Sequence, residues 1–428
     1  MPASPPARSE VESLHAYSAP LEGRRGLLRL DFNENTVGPS PRVVEAIRAI
    51  PADHYAIYPE YDGLREAVLA SLADMAGAIV AAADSTAPVP AVALAVAPAV
   101  APAVAPAIRT DGVPAPVTGS LAQQPARRPS LRIEQVGLFN GVDAAIHALF
   151  QAYGAPGDRL LTTSPTFGYY TPCAQMQGME IEAIPYEGPD FAFPLAAIRT
   201  ALQGGAGGIL PRLLLLCNPN NPTGTRLAPE PILELAAAAP GTLVVVDELY
   251  EAFTGDSVLP LLLQRARATG ADPFAAHPNL VVLRSLAKTA GLAGLRIGFA
   301  IGHPAVVDRI SRVTGPYDIN SFAVTAAHAA LADQAYVDGY VTTVLAGRDW
   351  LLEQFAAAGV RHHCTGGNYL LVWPRGEAAA VDDALREAGI LVRSMAGKPL
   401  IDGSLRVSLG TREQLERFWN AYRTIEGL

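Results

Sequence analysis

The residues with the most chemical promise lie in Val281-Val282-Leu283-Arg284-Ser285-Leu286-Ala287-Lys288, followed by Gly291, Gly294, Arg296 and Gly298. Leu280 to Leu283 reads as a buried strand. Ser285 follows it, then a single lysine, then glycines that allow close backbone approach. Burying an ammonium is costly unless it is paired or neutral. A lysine that condenses with a carbonyl cofactor escapes that cost and acquires a function. A surface lysine in a loop is the alternative that this stretch leaves open. The rest of the chain has to decide between them.

The chain has 428 residues, half of them hydrophobic, which is ample for a large core and suggests two or three domains. Only 17% of residues are charged and the net charge is -9, which argues against a nucleic-acid-binding surface. Cys173, Cys217 and Cys364 lack metal-ligand spacing, and their odd number argues against a disulfide framework. A reducing cytoplasm fits that cysteine usage. Met1 to Glu10 is rich in Pro and Ser and has no apolar signal core.

Stepping along the chain, residues 1–13 read as a disordered lead-in. Leu27 to Phe32 reads as a short strand, broken by Asn33-Glu34-Asn35. Pro41 opens a helix over Val43 to Ile50, and Leu64 to Met75 is amphipathic. From 76 to 130 Ala, Pro and Val dominate, with Pro98, Pro102 and Pro106 at four-residue intervals. The apolar length of 89–108 could pass for a membrane span, but each proline removes a helix donor and clashes with the preceding turn. A disordered or polyproline-like insertion inside a domain is the better reading.

From Ile133 to Asp247 apolar strands alternate with helices. That pattern predicts an α/β fold with a mainly parallel sheet covered by helices. The loops at 140–143, 164–168, 218–224, 247–250 and 285–288 each follow a strand, where such sheets bind ligands. Beyond Gly302 the pattern reads as a smaller α+β domain. The expected organisation is therefore an N-terminal arm and small-domain segment over 14–50, a large domain over 51–302 and a small domain over 303–428.

Taken in order, Asn221-Pro222-Thr223-Gly224, Asp247-Glu248-Leu249-Tyr250, Ser285-Leu286-Ala287-Lys288 and Arg296 resemble the signature of fold-type-I pyridoxal-phosphate aminotransferases. Asn33-Glu34-Asn35, Tyr58-Pro59, Asn140-Gly141-Val142-Asp143, Pro165 to Tyr170 and Leu405 to Thr411 are most similar to the histidinol-phosphate aminotransferase group. The resemblance covers nearly everything except the first dozen residues and the insertion. It implies a seven-stranded-type sheet, a cofactor-binding large domain and a homodimer with a shared site.

The resemblance also assigns roles. Lys288 holds pyridoxal 5'-phosphate as a Schiff base and moves the proton, and Asp247 pairs with the pyridine nitrogen. A turn cap is the bland alternative for Asp247. Tyr250 and Asn221 bond the cofactor's phenolate oxygen, and Phe167 stacks on its ring. The phosphate falls to Gly141, the N–H groups of Val142 and Asp143, Ser285 and the fork of Arg296, with Tyr58 reaching in from the neighbouring subunit. Arg406 clamps the substrate carboxylate, Arg393 meets a substrate phosphate, and Tyr17 and Asn35 cover the site. The implied reaction is transamination between histidinol phosphate and 2-oxoglutarate, with no metal, nucleic acid or membrane partner. Related scaffolds act on aromatic amino acids or decarboxylate phosphothreonine. A regulator's sensing domain would need a DNA-binding module ahead of the fold, for which the Pro-rich start leaves no room.

Overall fold

Three apolar runs, Leu213–Cys217, Leu243–Asp247 and Leu280–Ser285, are the centre of the computed structural model, which describes residues 5–14, 22–73, 131–205 and 208–428. Their side chains alternate between two apolar layers. Leu214, Leu216, Val244, Val246 and Val282 pack on one face, and Leu213, Leu215, Val245, Val281 and Leu283 on the other. A strand buried on both faces has no polar side to show water, which is why these runs are unbroken in the sequence. Tyr17 and the 76–130 insertion lie outside the described residues.

In chain order the strands are β1 (Leu28–Arg29), β2 (Val136–Phe139), β3 (Arg159–Ser164), β4 (Glu180–Pro185), β5 (Leu213–Cys217), β6 (Leu243–Asp247), β7 (Leu280–Ser285) and β8 (Gly298–Gly302). They continue with β9 (Arg361–His363), β10 (Tyr369–Trp373), β11 (Ile390–Leu391), β12 (Arg393–Ser394) and β13 (Leu405–Ser408). A seven-stranded sheet runs β2-β8-β7-β6-β5-β3-β4. Strands β7, β6, β5, β3 and β4 are mutually parallel, and β8 is antiparallel to both β7 and β2. It follows that β2 points the same way as β7. The carboxyl ends of six strands therefore share one rim, where the loops singled out in the sequence all emerge.

The helices are α1 (Ser9–Glu12), α2 (Pro41–Arg48), α3 over 64–73, α4 (Val142–Tyr153), α5 (Tyr170–Met176), α6 (Leu195–Leu202) and α7 (Pro229–Ala238). Then come α8 (Val258–Thr269), α9 (Pro304–Ser311), α10 (Ser321–Leu331), α11 (Gln334–Ala357), α12 (Ala378–Glu387) and α13 (Arg412–Glu426). A second sheet, β12-β13-β10-β9, backs onto α11 and α13, and β1 pairs in parallel with β11. Its separate core gathers Phe355, Tyr369, Phe418, Trp419 and Tyr422.

Several expectations need correction. The stretch read as a disordered lead-in contains one helical turn, α1, and Arg8 donates to the Met176 carbonyl at 2.9 Å. The stretch from Ile390 to Ser394 is two strands in two sheets, because β11 turns aside to take β1 as its partner. The cores do not divide at 302. Val306 and Ile310 of α9 and Ala323, Ala326 and Ala327 of α10 belong to the layers on the large sheet. Helix α11 makes the crossing, with Val337 in the large core and Tyr340 in the small one. The N-terminal segment is split likewise, Leu28 and Leu30 packing in the small core and Val43 of α2 in the large one.

The small core gives a direct test. Phe355 is fully buried, with its ring centroid 5.6 Å from that of Trp419 and 6.0 Å from that of Tyr422. Phe355→Ala should lower unfolding free energy by about 3–5 kcal/mol in urea titration. A loss under about 1 kcal/mol would mean that this contact does not centre the small core.

Candidate active site

The rim loops enclose a cavity. Its walls include Phe167 after β3, Asn221 after β5, Asp247 at the end of β6, and Ser285 and Lys288 after β7. Asp247 and Glu248 are neighbours in sequence, and strand alternation separates them. Asp247 lines the cavity, whereas Glu248 faces the other way onto Arg284, Ser257 and the N–H of Val258.

Asp247 is 2% exposed. Tyr170, on the helix that follows the Phe167 loop, donates to its Oδ2 at 2.7 Å, and the Leu249 N–H to its Oδ1 at 3.3 Å. Burial pushes the Asp247 carboxyl up to about 7, against the pull of those two donors. A cation placed against it would return it to the charged form. Lys288 is half-buried and lines the cavity, and its Nζ donates to the Phe32 carbonyl at 3.0 Å. Loss of hydration, together with the positive charge of Arg406, brings the Lys288 amine down to about 8. Half of such a group is neutral, and hence nucleophilic, near pH 8.

The Tyr250 hydroxyl accepts from Asn33 Nδ2 at 3.1 Å and Asn221 Nδ2 at 3.3 Å. Its own proton is thus left for a third partner, and burial keeps the phenol protonated by raising its pKa. Asn221 Oδ1 receives Arg406 Nη1 at 2.7 Å, which fixes the amide's orientation. The loop carrying Asn221 is clamped through its neighbour. Asn220 donates to the Pro165 carbonyl at 3.0 Å, and its own carbonyl accepts from Tyr369 at 2.6 Å.

At the other end of the cavity α4 begins. Gly141 has φ +78, and a Cβ there would lie 2.7 Å from Arg296 Nη2, so the turn demands glycine. The free N–H groups of the first turn of α4 and the guanidinium of Arg296 converge on this end. Arg296 itself has φ +57, a region disfavoured for side chains and here imposed between β7 and β8. Its Nη2 meets Asp143 Oδ2 at 2.7 Å, so the Asp143 carboxylate holds the fork while its backbone heads the helix. Ser285 Oγ accepts from the Ala287 N–H at 3.0 Å. The donor set therefore matches pyridoxal phosphate: an anion cradle, an aromatic wall, a phenol, a buried acid lacking a cation, and an amine.

Other candidates lie apart from the cavity wall. Tyr58 is 70% exposed and stacks on Tyr317 at 4.0 Å between centroids. Asn35 is buried, donates to the Thr289 carbonyl at 2.8 Å and accepts from the N–H groups of Val37 and Gly38, so it braces the lysine loop. Arg393 lies directly across from Arg406 in the β12–β13 register, with its guanidinium 5.6 Å from the centre of the Phe32 ring. Among the described residues no three His, Cys, Asp or Glu are grouped to hold a metal, and no helix is long and apolar enough to cross a membrane.

Residues 120–421 match the family model described as aminotransferase class I and II. The chain belongs to that family. This aminotransferase, an enzyme that works with pyridoxal phosphate, is 32% identical to the histidinol-phosphate aminotransferase of Roseiflexus castenholzii, across 95% of this chain and 94% of that one. It is 30% identical to the enzyme of the same name from Symbiobacterium thermophilum, across 95% and 92%. In fold it is similar to the Sinorhizobium meliloti histidinol-phosphate aminotransferase solved with pyridoxal-5'-phosphate, with a TM-score of 0.72, 20% identity and coverage of 99% and 98%.

The aminotransferase site holds groups that the sequence did not mark. Tyr170 was visible only as part of the Pro165 to Tyr170 motif, since its contact with Asp247 depends on how α5 leaves the loop. Asn33 was legible as a strand breaker and not as a donor to Tyr250. Ser408, which donates to Asn33 Oδ1 at 2.9 Å, was visible only as part of the Leu405 to Thr411 motif.

The lysine's lowered pKa carries a pH prediction. The ammonium cannot attack a carbonyl and the amine can. The rate at which apoenzyme takes up pyridoxal phosphate should rise about tenfold per pH unit below neutrality and level off above about 8. Stopped-flow absorbance would measure it, and a rate flat from pH 6 to 9 would contradict the amine's assigned environment.

Proposed function

We propose that this aminotransferase transfers the amine of histidinol phosphate to 2-oxoglutarate, with Lys288, Asp247 and Tyr250 as its catalytic residues. The observation carrying the reading is the pair Arg393 and Arg406, opposite each other on adjacent antiparallel strands. Like charges directly across a sheet repel. They are tolerable where an anion comes between them, and a phosphorylated donor and a dicarboxylate acceptor both supply one. The names of the curated relatives support the same substrate.

When bound, pyridoxal phosphate supplies a carbonyl for the donor's amine and a ring that draws electrons from the bond being broken. The protein does the rest. Lys288 would hold the cofactor through its Nζ and, once freed by the donor's amine, would carry the proton between the donor's Cα and the cofactor's carbonyl carbon. Asp247 keeps the ring nitrogen protonated, with Tyr170 orienting the carboxylate. Tyr250 and Asn221 steady the phenolate oxygen, and Phe167 packs on the ring. Gly141, Val142, Asp143, Ser285 and Arg296 hold the phosphate. Arg406 and Arg393 take the substrate's anionic groups, and Asn35, with Tyr17 of the arm, covers the site.

A homodimer completes the reading. Tyr55, Ile57, Tyr58 and Tyr317 are all exposed, Tyr58 stacked on Tyr317, and Tyr58 does not line its own chain's cavity. Such a patch suits a second copy, with Tyr58 reaching the copy's phosphate. The expected setting is the cytoplasm.

Lys288→Ala should lose the absorbance of the covalently held cofactor and all but a trace of transamination. Asp247→Ala should lower kcat by at least about a hundredfold, since the ring no longer stays protonated. Turnover within a few-fold of the unmodified enzyme in either variant would refute the assignment. Among amino donors, histidinol phosphate should show kcat/KM at least about tenfold above phenylalanine and tyrosine. A preference for an aromatic amino acid, or carbon dioxide release from phosphothreonine without 2-oxoglutarate, would redirect the substrate reading and leave the cofactor chemistry in place.

A further inference from the structure

Residues 31–35 run past the cavity as a strap, and most of the strap grips part of the site. The Asp31 carbonyl accepts from Arg406 Nη2 at 2.6 Å, and the Phe32 carbonyl from Lys288 Nζ at 3.0 Å. Asn33 Nδ2 donates to the Tyr250 hydroxyl at 3.1 Å, and Asn35 Nδ2 to the carbonyl of Thr289, the residue after the lysine, at 2.8 Å. The catalytic lysine, the phenol and an anion-binding arginine thus share one short backbone segment.

The strap is fixed by Arg24, a residue that does not line the cavity. Arg24 Nε and Nη2 take both oxygens of Asp31, at 2.9 and 2.7 Å. Nη1 and Nη2 reach Glu34 at 3.2 and 2.9 Å. The guanidinium also lies 4.3 Å from the centre of the Phe32 ring. Only 11% of the Arg24 side chain is accessible, so solvent screens this hold less than it would an exposed pair. One planar fork therefore holds the strap on both sides of the Phe32 carbonyl and by the Phe32 side chain itself.

We propose that Arg24 is a positioning residue for proton transfer: it fixes the Phe32 carbonyl that receives an N–H of Lys288 whenever the lysine is not bonded to the cofactor. The proposal rests on the assignment of Lys288 given above. As a free amine, Lys288 Nζ takes the proton from the donor's Cα, and the C–H electron pair stays behind in the conjugated system. The resulting ammonium gives that proton to the former aldehyde carbon, and the amine is restored. Between the two events the ammonium donates to the Phe32 carbonyl. That contact stabilises its charge and keeps the long, freely rotating lysine pointed along the path.

The test uses Arg24→Gln and Arg24→Lys in the full-length holoenzyme, with glutamate deuterated at Cα as probe. Arg24→Gln should keep the absorbance of bound cofactor and a KM within about twofold. Its kcat should fall roughly ten- to a hundredfold and its Cα-deuterium isotope effect should rise, because proton transfer becomes limiting. Arg24→Lys, which keeps the charge and loses the fork, should fall between. Hydrogen exchange on the apoenzyme should show faster amides over 31–35, with α4 and β7 unchanged. A lower melting temperature with unaltered kcat and isotope effect would make Arg24 merely structural and overturn the proposal. If Arg24→Gln does not fold, Glu34→Gln, which removes one of the two carboxylates held, replaces it. An unaltered isotope effect there overturns the proposal equally. Lys288→Ala with undiminished turnover would instead remove the lysine assignment, a failure distinct from that of Arg24.

Discussion

An amine and a carboxyl group sit in the wall of one small cavity, and among the described residues they form no ion pair with each other. Lys288 is directed to a backbone carbonyl and Asp247 to a phenol. Lost hydration moves both pKa values toward neutrality, the amine down to about 8 and the acid up to about 7. A protein built only for stability would pair such groups or replace them with apolar ones. Keeping them apart leaves room for a molecule that satisfies both, a carbonyl toward the lysine and a cationic ring nitrogen toward the acid. The rest of the structure is arranged around that separation.

The separation depends on the parallel sheet. Asp247 ends β6 and Lys288 follows β7, and the two strands are hydrogen-bonded neighbours. Their shared direction puts both ends on one rim, and their registry sets the distance between the two groups. The antiparallel β8 then returns the chain so that Arg296 enters beside the first turn of α4, which follows β2 at the edge of the same sheet. Strand order thus converts residues scattered over 150 positions into a cradle with an anion end and a ring end. The second core contributes Arg406, which reaches across to Asn221 and the Asp31 carbonyl. Each core alone lacks part of the site.

How much of this could be read in advance follows from whether the signal is local. Helix α4 and strand β5 were legible in the alternation of apolar strands and helices, because apolar patterning marks both. Helices α6 and α8 carry the same kind of periodicity but hold no chemical motif, and they were not singled out. The division between cores was misplaced because sequence shows where helices start but not which sheet they cover. Helix α10 is a run of small apolar residues that would suit either core, and its packing on α2 and the large sheet decided it. Motif residues such as Asp247, Lys288 and Arg296 were legible because chemistry restricts the residue type. Tyr170 and Arg24 were not, because they act through other residues, and a tyrosine or an arginine at those positions is compatible with many bland roles.

The strap at 31–35 shows why such indirect residues matter to a site of this kind. A catalytic lysine has four freely rotating bonds, and ordering it costs about 2 kcal/mol of side-chain entropy unless something holds its end. On the proposed assignment, a covalent link to the cofactor would supply that order for part of the cycle and would be lost once the substrate displaced it. During that interval the lysine must still present its nitrogen along a defined line. A backbone carbonyl is suited to this because it neither titrates nor changes rotamer, but it is only as rigid as the loop that carries it. Asn33 has φ +55, a left-handed turn that asparagine tolerates better than other side chains, and one such turn does not fix a five-residue loop. Rigidity has to come from tertiary contacts, and the Arg24 fork and the hydrogen bonds of Asn33 with Ser408 and Asn368 provide them.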